Sequence, residues 1–170
     1  MTSQTGLKVP TEVSDMEDPL AIYLHDHLAG STVAVDLLQA MRRKHADEGL
    51  GQFAATMLVE IQADRTVLKN LADRIGAGSS QLKELSAWLS EKVSRFKLDR
   101  GPQGLGIFEA LEFLALGVLG KLSLWRALAV STDNRLQGTD FDQLIARAQS
   151  QYTQIEDRRL DAAKIALVQR

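Results

Sequence analysis

The chain has 170 residues, 45% apolar and 25% charged, with a formal net charge of -2 and no cysteine. That length supports one domain with its own core, and the charge balance argues against a nucleic-acid partner. Without cysteine there is no disulfide framework, thiolate metal site or cysteine nucleophile; a reducing compartment fits, and a cytoplasmic location is the expectation.

Residues 1–18 are polar and are expected to form a flexible N-terminal arm ahead of a bundle domain over 19–170. No apolar h-region marks a secretory signal. The longest apolar run, IFEALEFLALGVLGKLSLW, is broken by Glu109, Glu112 and Lys121, so no membrane association is expected.

Prolines occur only at Pro10, Pro19 and Pro102, and helical periodicity dominates between them. Asp18-Pro19 reads as an N-cap followed by proline in the first turn. The first helix is expected over 19–45, ending in the basic turn MRRKH, which complements the helix dipole. ADEGLG links it to a second helix over 51–75, closed by Gly76 and Gly78. SQLKELSAWLSEKVSRFKL, residues 80–98, is a separate amphipathic segment with a stripe of Leu82, Leu85, Leu89, Val93 and Phe96. Its mixed charges favour packing against the bundle over lying on a membrane. GPQGLG then opens a third helix over 105–130, the most apolar of the set and expected to be the most buried. With no preceding strand and no Gly-Lys-Ser/Thr, this glycine-rich loop is a helix start and no phosphate cradle. STDNRLQG turns the chain, and Thr139 with Asp142 resembles a capping box opening a fourth helix over 140–168.

Four long helices with a helical segment between the second and third make an all-α four-helix bundle with a crossover. The crossover helix over 80–98 spans roughly 27 Å at 1.5 Å per residue, enough to carry the chain between the ends of the bundle.

YLHDHLAG, residues 23–30, places two histidines on the first helix. Residues two apart lie about 200° apart around the axis, so His25 and His27 cannot share a metal. The apolar arc holds Leu20, Leu24, Leu28, Ala34, Leu38 and Met41, with His27 inside it and His25 expected on the solvated side. On the second helix Phe53, Met57, Ile61, Leu68, Leu71 and Ile75 form the inner stripe, and Glu60 and Asp64 sit on it. A carboxylate there is costly unless paired or bound to a metal. The third helix turns Ile107, Leu111, Leu114, Val118 and Trp125 inward, with Lys121 at the border. On the fourth, Phe141, Ile145, Ala148, Tyr152 and Ala166 define the arc, with Arg159 in it and Glu156 at its edge. His27, Glu60, Asp64, Lys121, Tyr152, Glu156 and Arg159 thus form an expected buried polar network.

A bundle with inward carboxylates and a long second-to-third crossover resembles the ferritin-like superfamily. YLHDHLAG, EIQADRTVLKNL at 60–71 and GKLSLWRALA at 120–129 look like an uncharacterised group of bacterial ferritin-like proteins, a resemblance that implies the fold and no established activity. Ferritin-like di-iron proteins carry a Glu on each of two helices and a Glu-x-x-His on each of the other two. Here Glu60 is followed at i+3 by Ala63 and Glu156 by Arg159, and all three histidines lie on the first helix, so no Glu-x-x-His exists. Three function readings follow. In the first the protein is a non-catalytic bundle without cofactor, acting through its surface or as a homodimer through helix faces, with an ion-pair network replacing the di-iron site. In the second it is a metal-binding protein or oxidoreductase using iron or manganese at His27, Glu60, Asp64 and Glu156. A third, weaker reading is a small-ligand pocket lined by Tyr23, His27, Tyr152 and Trp125.

Overall fold

The computed structural model of the protein describes residues 18–76, 98 and 104–168. Among them the regular structure is entirely helical: α1 Pro19–Lys44, α2 Gly49–Ile75, α3 Leu105–Ala129, a short 3-10 turn at Asn134–Leu136, and α4 Phe141–Ala166. No helix among the described residues is long and apolar enough to cross a membrane.

The helix boundaries follow local chemistry. Asp18 caps α1 by accepting a hydrogen bond from the Leu20 backbone N–H, with Pro19 at the first position and Arg42, Arg43 and Lys44 in the last turn. Gly51 permits the tight α1–α2 turn, because a Cβ there would lie 1.9 Å from the His45 carbonyl oxygen. Gly76 ends α2 in the left-handed conformation at φ 77°, where a side chain is strained. At α4 the capping group differs from the expected one. Asp140, not Thr139, accepts from the Gln143 N–H at 2.9 Å, while the Thr139 hydroxyl accepts from Arg74 at 3.1 Å.

α1 packs along α2, and α3 along α4. Two buried clusters fill the space between the hairpins. One joins Leu37, Leu38 and Met41 of α1 to Phe53, Met57 and Ile61 of α2, Leu111 and Leu114 of α3, and Ile155 of α4. The other joins Leu24 and Leu28 to Leu68 and Leu71, to Trp125 and Leu128, and to Leu144 and Ala148. The early part of α2 thus shares a cluster with the early part of α3, and the late part with the late part. The two helices run parallel, so α2 ends and α3 begins at opposite ends of the bundle. The crossover helix expected over 80–98 lies outside the described residues except for Leu98, which is buried in the first cluster.

Three placements depart from the sequence expectation. His25 is buried, at 7% exposure, while His27 is half-buried. A bundle helix faces more than one neighbour, so the buried arc of α1 is wide enough to hold His25, Ala29, Val33 and Leu37 beside Leu24, Leu28, Leu38 and Met41. On α4 the buried line is Leu144, Ala148, Gln151 and Ile155, turned from the expected arc, leaving Tyr152 and Arg159 half-buried. On α3 the outward Leu116 and Leu119 stay exposed, because that helix is apolar on more than its packed side.

Candidate functional site

The two apolar clusters are separated by a band of charge at mid-height. Asp64 occupies the inner stripe of α2 between Ile61 and Leu68 and is 1% exposed. Lys121 Nζ, reaching across from α3, donates to Asp64 Oδ2 at 2.5 Å. From α4, Arg147 Nη2 lies 2.5 Å from Asp64 Oδ1, an ion pair at an angle that makes no hydrogen bond. Gln151, also on α4 and fully buried, binds the set together. Its carbonyl accepts from Lys121 Nζ, and its amide N–H groups donate to Asp64 Oδ2 at 3.2 Å and Glu60 Oε2 at 3.1 Å.

Two carboxylates and two cations make this band electrically neutral. An unpaired carboxylate at the depth of Asp64 carries a penalty of several kcal/mol. Here one oxygen takes an ammonium and an amide, and the other faces a guanidinium. Burial drives the Lys121 ammonium below the ordinary lysine range, and the adjacent Asp64 charge pulls it part of the way back.

The remaining expected network members lie elsewhere. Glu156 accepts two hydrogen bonds of 2.7 Å from Arg159, one turn on along α4. Arg159 also meets Glu112 of α3 at 3.2 Å and covers the Phe108 ring. This is a separate cluster at the rim, with the Glu156 and Arg159 side chains 25% and 21% exposed. Its arginine holds Glu156 below the usual glutamate range. Tyr152 packs against the first apolar cluster. His27 stands edge-on to Tyr23, ring centres 4.8 Å apart, and burial lowers its pKa from the ordinary imidazole value, against the opposing pull of Asp26.

The expected seven-residue network is therefore split. Glu60, Asp64 and Lys121 come together, Glu156 and Arg159 pair apart from them with Tyr152 within electrostatic reach of Arg159, and His27 belongs to neither set. Gln151 and Arg147 complete the central band and were missing from the expected set. Their signal was present as Leu144, Ala148, Gln151 and Ile155, spaced four, three and four apart, with Arg147 one turn before Gln151.

The four residues expected as an incomplete metal set are placed as follows: Asp64 lies with Glu60 in the central band, Glu156 lies with Arg159 apart from it, and His27 stands beside Tyr23. Among the described residues no three His, Asp or Glu side chains are grouped to hold an ion. Both oxygens of Asp64 face cations, and Glu156 is held by Arg159.

Beside the band, between α1, α2 and α3, lies a cavity of about 230 Å³. Ile61, Leu68, Val118, Leu124 and Trp125 supply apolar walls, and Gly30, Gly117 and Gly120 supply none at all. His27, Ser31, Arg65, Asp64 and Lys121 bring polar groups to it. Of the four residues expected to line a pocket, His27 and Trp125 do so, while Tyr23 and Tyr152 are not in the lining.

Fold and site together define an all-α bundle with a neutral charged band across its core. Comparison with family models, curated proteins and solved structures gave no match.

Proposed function

We propose that this is a non-catalytic, ferritin-like bundle protein in which an internal ion-pair network takes the place of a di-iron site. The observation that carries the reading is Asp64, buried at mid-height with Lys121 and Arg147 on its two oxygens. Carboxylates in such a position need a positive charge, and two side-chain cations provide it where a metal pair would otherwise do so. The parallel course of α2 and α3 supports the ferritin-like part, since that topology requires one long return connection. In this reading the bundle is a scaffold that acts through its surface, alone or as a homodimer.

The test is metal content by mass spectrometry on protein purified without chelator and then challenged with Fe(II), Mn(II) and Zn(II). The expected result is no stoichiometric retention. Near-stoichiometric metal, lost in Glu60→Ala, would overturn the reading and favour a metal-binding protein or oxidoreductase built on His27, Glu60, Asp64 and Glu156.

A further inference from the structure

The cavity beside the charged band has the makings of a binding site, and its parts specify a ligand. Arg65 enters from α2 and is held by two α1 hydroxyls: its Nε donates to Ser31 Oγ at 3.0 Å, and its Nη2 to Thr32 Oγ1 at 3.4 Å. Ser31 in turn donates to the Leu28 carbonyl at 2.6 Å, which fixes its lone pairs toward the guanidinium. Among the described residues Arg65 has no carboxylate partner, in contrast to Arg135, Arg147 and Arg159. Among the described residues its Nη1 makes no hydrogen bond, the guanidinium being held through Nε and Nη2. The nearby Lys121 and Asp64 cancel each other, so Arg65 leaves a positive charge at the cavity offset only by the exposed Asp26.

The other walls are apolar, and three glycines also line the space. A Cβ built on Gly30, Gly117 or Gly120 would touch nothing within 4 Å. Glycine costs helix stability at these positions, and the space beside them is open beyond the reach of a Cβ. A cavity of about 150 Å³ holds benzene; by proportion, about 230 Å³ takes roughly nine heavy atoms.

We propose that the cavity binds a small monocarboxylic acid of benzoate size, its carboxylate on the Arg65 guanidinium and its apolar body against Ile61, Leu68, Val118, Leu124 and Trp125. A guanidinium edge matches the two oxygens of a carboxylate. A phosphate dianion is disfavoured, because Asp26 and Asp64 also line the space. A small inorganic anion would leave the apolar walls unfilled. The site needs no chemistry at the charged band, and so stands apart from the scaffold reading.

The probe is sodium benzoate, titrated into the full-length protein and followed by backbone amide shifts, with benzamide as the neutral isostere and benzylamine as the cation. Benzoate is expected to saturate with a Kd below about 1 mM, moving amides in 27–34, 61–68 and 117–125, with benzamide and benzylamine at least tenfold weaker. Arg65→Gln should weaken benzoate at least tenfold and leave benzamide unchanged. Gly120→Leu, which fills the space, should abolish both while the spectrum keeps its dispersion. If Arg65→Gln does not fold, Ser31→Ala removes only the guanidinium's anchor and should weaken benzoate selectively. Lack of saturation up to about 10 mM, equal binding of benzoate and benzamide, or shifts centred elsewhere would overturn the proposal.

Discussion

Asp64 and Glu156 are both carboxylates on long helices, and both face arginines, yet their positions give the pairs different weight. Glu156 and Arg159 sit at the rim with part of each side chain in water. If the pair is broken, solvent replaces it. Asp64 is 1% exposed between two apolar clusters, so its carboxylate depends on Lys121 and Arg147 far more than on solvent, even though the Arg147 side chain is itself 31% exposed. The same contact is thus an accessory at the rim and a requirement at the centre. The direction of each pKa displacement carries the same lesson. Glu156 is displaced mainly by its arginine, whereas Lys121 and His27 are displaced mainly by loss of water.

The largest effect should come from Lys121→Met. It strips Asp64 Oδ2 of its ammonium and leaves the Gln151 carbonyl without a donor, so a loss of about 3 kcal/mol is expected in urea unfolding, Arg147 limiting the damage. A loss under about 0.5 kcal/mol, typical of a surface substitution, would break the contrast.

A smaller effect concerns His27. Its folded pKa lies below the unfolded value of 6.5. The unfolded chain therefore takes up the proton first, so His27 contributes stability above about pH 6.5 that is lost as pH falls through its folded pKa. Imidazole shifts should show His27 titrating below 6.5, and His27→Gln should flatten the stability profile on the acid side of neutrality. A titration at or above the ordinary histidine value would show that the site is wetter than the fold implies.

The smallest effect should be that of Arg159→Ala. With Glu156 and Glu112 free to turn to solvent, the urea midpoint should match wild type within error. A loss comparable to that of Lys121→Met would erase the distinction between rim and centre.

Much of this was legible in the sequence. Asp18-Pro19 and Gly76 mark helix ends by cap chemistry that needs no tertiary information, and the four helices fall within two residues of their expected limits. Asp64 and Lys121 were visible because a charge on or beside an apolar stripe has to be explained. Gln151 escaped notice because an uncharged amide on a stripe raises no such alarm, and because Phe141 and Tyr152 drew the phase of α4 away from the line through Leu144 and Ile155. His25 was misplaced because a single arc was fitted to a helix that packs on more than one side. The cavity left even less trace: glycines on α1 and α3 read as weak helix formers until the fold sets Gly30, Gly117 and Gly120 around one space.

The central claim is that Asp64 and Lys121 hold each other in the middle of the bundle, and a double-mutant cycle measures that directly. Urea unfolding of wild type, Asp64→Leu, Lys121→Met and the double variant gives their coupling energy. A value of about 2–3 kcal/mol, with the double variant more stable than the sum of the single losses predicts, is the expected result. Additivity within about 0.5 kcal/mol would mean that the two charges do not depend on each other, and it would contradict an ion-pair network at the core of this protein.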